Sequence, residues 1–196
     1  MTGLRIQGQA GVAEYVAPRA NGFLLTARTI PNFIELDAKK FEEYLRHEGL
    51  DEISAWRRQH GESALPGREF YSKYVKAILH TGGADPFVTK PAGHAIEFVP
   101  MADPASVAQG GELAVRVLFH GKPAPGLPVE ASSFHEGKRK DRQLGKTDGN
   151  GMARIPLDEP GLWKLHSIRM ERRTDTREAD WESFWASLTF FIPDGK

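Results

Sequence analysis

The chain contains no cysteine. That absence removes disulfides, thiolate zinc sites and cysteine nucleophiles together, and leaves the redox compartment open. Long apolar runs are missing as well. Stretches such as "FLLTA" and "LTFFI" are only a few residues long, far short of the ~20 that a helix needs to cross a bilayer, so a membrane-spanning chain is not expected. Neither sign of charge is in excess: Lys+Arg and Asp+Glu both count 26 in 196 residues, for a formal net charge of zero. Nothing in that balance favours nucleic acid or another strongly anionic partner. The local signatures of catalysis are absent too. There is no G-x-S-x-G elbow, no phosphate loop of either glycine-rich type, and no H-E-x-x-H or H-x-x-x-H pair. The adjacent carboxylates Asp158 and Glu159 stand next to Pro160, where solvation in a turn accounts for them. The chain is read as a protein without enzymatic activity.

What is present is turn-rich: 20 Gly and 13 Pro in a chain that is 40% hydrophobic and 27% charged. The length allows one large domain or two small ones, with a proper core. From Val12 to Leu36 the pattern is extended, with "VAEYV" and "FLLTART" flanking Asn21-Gly22, a favoured hairpin pair. Helical signals follow. Asp37 is a good N-cap for "AKKFEEYLRHE", "DEISAWRRQH" reads as a shorter helix, and "GREFYSKYVKAILH" places Phe70, Tyr74, Val75, Ile78 and Leu79 on one stripe. Glu69 and Lys73 then fall i, i+4 on the exposed side of that third helix.

After residue 90 the period becomes alternating and stays so. Candidate strands are "HAIEFVPM", "ELAVRVLFH", "LPVEASSFHE", "RQLGKT", "MARIPL", "LWKLHSIRMERR" and "SFWASLTFFIP". Short strands at this spacing suggest a β-sandwich of immunoglobulin-like or prealbumin-like type. The fold class is therefore mainly β with a helical insertion: residues 91–196 form the sandwich, packed on a smaller part, 1–90, of β-hairpin and three helices. The run "EGKRKDR" reads as a solvated hairpin tip.

The stretch "DGNGMARIPLDE" matches half of a calcium loop. Asp148, Asn150, Ile155 and Glu159 fall at positions 1, 3, 8 and 12 of an EF-hand, but Met152 and Ala153 occupy the places of an oxygen ligand and the glycine. Pro156 and Pro160 would break a following helix. Calcium at Asp148 is disfavoured, and "DGNG" is read as the hairpin turn between "RQLGKT" and "MARIPL".

Several stretches, in order, carry a resemblance: "FIELDAKKFEEYLRHEGLDEI", "REFYSKYVKAIL", "IEFVPMADP", "LAVRVLFHGKPAPGLPVEA", "KTDGNGMARIPLDEPGLWKLHSIRM" and "ADWESFWASLTF". They resemble the bacterial family called domain of unknown function 4198, and the segment with Glu69, Tyr71, Ser72, Tyr74 and Lys76 is the most specific part. The resemblance implies an exported, periplasmic protein associated with nickel or cobalt uptake, with a membrane permease as its partner. It also implies a signal peptide and a further β segment with a His-containing stretch. The first residues, "MTGLRIQGQAGVAEYV", match neither, so a truncated start is expected.

Seven histidines are available as ligands. His47, His60 and His80 lie at predicted helix ends, where a solvated His favours the helix dipole. His166 lies in a strand expected to be central, on the face opposite Trp163 and Leu165. A hydrogen bond to the helical layer is one role for it, and a metal ligand the other. Nickel and cobalt favour imidazole and carboxylate donors, so His166, His135 and His94 are the candidate metal ligands. The alternative function is a structural or interaction module of the cell envelope that binds protein or glycan without metal.

Overall fold

The computed structural model describes residues 21–108 and 110–194. In chain order these form strands β1 (Gly22–Arg28) and β2 (Asn32–Leu36), helices α1 (Ala38–His47) and α2 (Asp51–Gln59), and the long strand β3 (Gly67–His80). There follow β4 (Ile96–Pro100), β5 (Glu112–Phe119), the two-residue β6 (Lys122–Pro123), β7 (Pro128–His135), β8 (Lys138–Lys146), β9 (Met152–Pro156), β10 (Gly161–Arg172) and β11 (Trp181–Ile192). The chain is mainly β. A seven-stranded sheet runs β1-β3-β11-β10-β7-β8 with β2 also on β3, and a four-stranded sheet joins β4, β6 and β9 to β5. The larger sheet draws strands from both sides of residue 90, because β3 pairs in parallel with β11.

Alternation along the strands gives the large sheet two working faces. Trp163, Leu165, Leu188 and Phe190 turn toward the small sheet and bury with Phe98, Val115 and Val117 in the main core. Ile168, Met170 and Trp181 turn the other way, against Phe41, Leu45, Leu50 and Ile53 of the helical layer. That layer begins where the sequence indicates: the Asp37 carboxylate accepts a 2.9 Å hydrogen bond from the Lys40 amide, a normal N-cap. Strand β3 opens with Gly67 for a steric reason, since a Cβ there would meet the Phe41 ring at 2.1 Å.

The expected third helix is strand β3, so the helical layer has two helices among the described residues. The stretch carries both periods, and its aromatic and β-branched residues suit either a buried helix face or a strand. Its neighbours decide. β1 and β2 pair with it on one edge and β11 on the other, so its backbone groups are satisfied in the sheet. With the helix goes the exposed Glu69 and Lys73 pair. Glu69 is buried at 1% exposure, and the Lys73 ammonium sits 5.9 Å over the Trp185 ring instead.

Two further expectations change. "DGNG" is a turn, with Asp148 accepting hydrogen bonds from the amides of Asn150 and Met152 at 2.8 and 2.9 Å. It is not a hairpin, however, because β8 belongs to the large sheet and β9 to the small one. The turn carries the chain from one sheet to the other. The tip expected at "EGKRKDR" is shorter, since Lys138 already starts β8. Its Lys140 and Arg142 reach Glu159 and Asp158 at 2.6 and 2.7 Å. The segment "VAEYV" lies outside the described residues.

An ion pair is buried in the main core. Lys76 and Glu97 are 0% and 2% exposed, and the Lys76 ammonium donates to Glu97 Oε2 at 2.7 Å and to the Phe98 carbonyl at 2.8 Å. Glu97 also accepts from the amides of Ala92 and Gly93. Burial pushes Lys76 below its ordinary value. Burial pushes Glu97 up, but the Ala92 amide and the Lys76 ammonium outweigh it and hold the carboxyl low. Removing one partner strands a buried charge, which costs ~3–5 kcal/mol. Lys76→Met should lower the unfolding free energy by about that amount in urea denaturation at neutral pH. A loss below about 1 kcal/mol would mean that the pair behaves as a solvated one.

Candidate functional site

The three histidines proposed as ligands occupy three separate environments. His166, on β10, meets Glu48 at the end of α1: its Nε2 lies 2.9 Å from Glu48 Oε2 and its Nδ1 3.3 Å from the Ala186 carbonyl. Both partners are acceptors, so only the imidazolium form donates to both. Glu48 responds to this contact. Burial pushes it up, and the bonds to His166 and His47 more than reverse that. The gap beside the pair, lined by His47, Pro128, Glu130 and Gln143, has a volume of about 10 Å³, room for roughly one water.

His135 ends β7 near the surface, with Glu136 and Asp194 each 3.9 Å away and both exposed. His94 lies just before β4, with its ring 5.5 Å from that of Tyr74. Among the described residues no group of three or more His, Cys, Asp or Glu is arranged to hold a metal ion.

His94 does, however, line a cleft. The cavity measures about 430 Å³ and is bordered by Arg28, Tyr74, Gly93, His94, Ala95, His120 and Gly121. Each side chain is placed by an element already described. Arg28 ends β1 in register with Tyr74 of β3. His94 is carried by the segment whose amides at Ala92 and Gly93 bind Glu97, so the buried ion pair fixes the loop that presents it.

His120 and Gly121 form the two-residue connection between β5 and β6, with φ of 48° and 74°. This is the primed turn that a tight hairpin requires. Sequence reasoning did not select His120. A His-Gly pair between two apolar stretches was the available signal. Behind the turn, the Phe119 ring packs 4.2 Å from His120 and 5.1 Å from Phe184.

The electrostatics of the cleft are one-sided. Among the described residues its lining contains no carboxylate. Arg28 is exposed and has no ion-pair partner among the described residues. His94 Nδ1 is buried without a hydrogen-bond partner. Burial pushes the His94 ring below the ordinary histidine value; the charge of Glu97 opposes this, and those of Lys76 and Arg28 add to it. At neutral pH the cleft is therefore bordered by a neutral imidazole and by the Arg28 guanidinium, which has no ion-pair partner among the described residues.

A second polar cluster lies under α1. Glu69 Oε1 accepts from the Tyr44 hydroxyl at 3.2 Å and from the Ser183 hydroxyl, and Trp185 Nε1 donates to Ser183 Oγ at 2.9 Å. Glu69 Oε2 is buried with no partner. Burial pushes this carboxyl up to about 7 against the pull of the Ser183, Tyr44 and Trp185 hydrogen bonds, and nearby Glu48 adds to the rise. Tyr44 is pushed up as well, first by burial and then by the charge of Glu69.

A family model described as "Domain of unknown function (DUF4198)" matches residues 12–171. The match includes the whole of β3 and every residue bordering the cleft. No curated protein matches the chain, and no solved structure does.

The Glu69 cluster makes stability depend on pH in a defined direction. A carboxyl whose folded value is raised favours the fold fully below its unfolded value near 4.5, and that contribution is lost as pH rises through about 7. Urea unfolding at pH 5 and pH 8 should show a loss of stability on raising the pH that Glu69→Gln reduces by about 2–3 kcal/mol. An identical pH dependence in both proteins would show that Glu69 is ionised in the fold throughout.

Proposed function

From the premise that this chain belongs to the DUF4198 family, we propose that it is a binding protein without catalytic activity, and that its ligand is a small oxyanion-bearing solute taken into the cleft at Arg28, Tyr74, His94 and His120. One observation carries the reading. His94, whose Nδ1 is buried without a hydrogen-bond partner, lines a cleft of about 430 Å³ whose described lining has no carboxylate and includes Arg28, which has no ion-pair partner among the described residues. Such a lining suits a carboxylate or phosphate, with Arg28 supplying a charge-assisted hydrogen bond and the Tyr74 ring an apolar wall. The β framework serves as a rigid scaffold for these groups. Its immunoglobulin-like or prealbumin-like type belongs to the same proposal.

Capture of nickel or cobalt is the second reading, and a different property of the same residues favours it. Metal ligation needs a deprotonated imidazole, which the low value of His94 supplies. His94 and His120 would be two of the four to six donors, and water or a bound solute would supply the others. His166 fits this role less well, because both its ring nitrogens are engaged. In either reading the chain captures a solute in the periplasm and presents it to a membrane permease.

Calorimetric titration of the full chain separates these readings. Citrate and inorganic phosphate should bind, with Arg28→Ala and His94→Ala each weakening the affinity roughly tenfold or more and leaving the melting transition in place. If nickel chloride alone gives heat, abolished by His94→Ala and His120→Ala but insensitive to Arg28→Ala, the metal reading replaces the first. No heat from any of the three ligands contradicts both.

A further inference from the structure

The helical layer covers only one end of the outer face of the large sheet, where Trp181 and Ile168 bury. Beyond it, strand register assembles one apolar row. Phe23 pairs with Leu79, Phe191 with Leu162, and Leu162 with Phe134. Leu79 and Phe191 each lie two residues beyond the paired Ala77 and Thr189, and so share that row. Strands β3, β11, β10 and β7 thus each contribute one exposed large apolar side chain at the same level, β1 continues the row with the half-buried Phe23, and Arg139 closes it with its guanidinium 5.5 Å over the Phe134 ring. Leu79, Phe134, Leu162 and Phe191 are 41%, 36%, 43% and 54% exposed. Leu25 and Val75 widen the patch at 61% and 39%.

We infer that this face packs against the same face of a second copy of the chain, as an isologous sheet-on-sheet dimer. Three observations select a second copy as the occupant. The exposed fractions amount to on the order of 500 Å² of contiguous apolar surface, at the upper end of what a monomer leaves bare. Two such faces together remove about 1,000 Å², the lower bound for a specific association. A flat row repeated across parallel and antiparallel neighbours is also self-complementary, and two sheets stack at a spacing of ~10 Å when large side chains interdigitate. Finally, the formal net charge of zero gives two copies no long-range repulsion to overcome.

The dimer face is independent of the cleft. Arg28 and Phe23 lie at opposite ends of β1, and the cleft opens on the side of the sheet that Tyr74 faces, opposite to the row. Closed point-group symmetry follows from an isologous contact, so the assembly stops at two copies.

Sedimentation equilibrium of the full chain over a range of micromolar concentrations tests this. The wild type should rise from monomer to twice the monomer mass. Leu162→Glu and Phe191→Asp should each remain monomeric, with a melting transition at low concentration no lower than that of the wild type. A wild type that stays monomeric at the highest concentration overturns the inference. So does a dimer that persists in both variants.

Discussion

Strand β3 buries an ionisable group on each of its two faces, and the rest of the fold is arranged around that constraint. Glu69 and Lys76 are seven residues apart. On a helix that spacing would put them on one face, whereas on a strand an odd separation puts them on opposite faces. Glu69 accordingly lies under α1 with Tyr44 and Ser183, and Lys76 lies between the sheets with Glu97. Each needs partners from a different layer. The helical layer supplies one set and the small sheet the other, so β3 holds three layers in a single register. Its parallel pairing with β11 is what carries Ser183 to Glu69.

The cleft is a consequence of the same strand. Tyr74 borders it two residues before Lys76, and Lys76 holds Glu97, which in turn binds the amides of Ala92 and Gly93. His94 follows directly. The chain of contacts from β3 to the His94 ring contains no flexible side chain on the surface, so the imidazole is presented by buried groups. Arg28 arrives through β1, which pairs with the same stretch of β3. The site is therefore assembled on scaffold strands and one short turn at His120 and Gly121, the kind of support that holds binding groups in position.

Much of this was legible in the sequence where one face of a strand meets the core. The alternation of "LWKLHSIRMERR" located β10 and placed His166 on the face away from Trp163, where it meets Glu48 of the helical layer. Asp37 marked the start of α1. Strand β3 was not legible, because it is flanked on both edges, buries its inner face along most of its length and buries Glu69 on the outer one. Its pattern is then near-continuous and satisfies a helical stripe equally well. The role of "DGNG" was half legible. Asp148 and Asn150 signal a turn by their local chemistry, but which sheets it joins depends on pairings distant in sequence. His120 escaped notice for a related reason. Only the approach of β3, β5 and the segment before β4 makes its turn part of a site, and no local spacing encodes that approach.

The state of the His94 ring is the point on which the account turns, because a neutral imidazole lining the cleft is what makes it a binding site. An NMR pH titration of the side-chain nitrogens of the full chain measures it directly. The account predicts that His94 titrates below the ordinary histidine value of about 6.5, with burial and the neighbouring Lys76 and Arg28 outweighing Glu97. It also predicts that citrate or nickel shifts this resonance before those of His47 and His135. A His94 that titrates at or above the ordinary value, and that does not respond to either ligand, would contradict it.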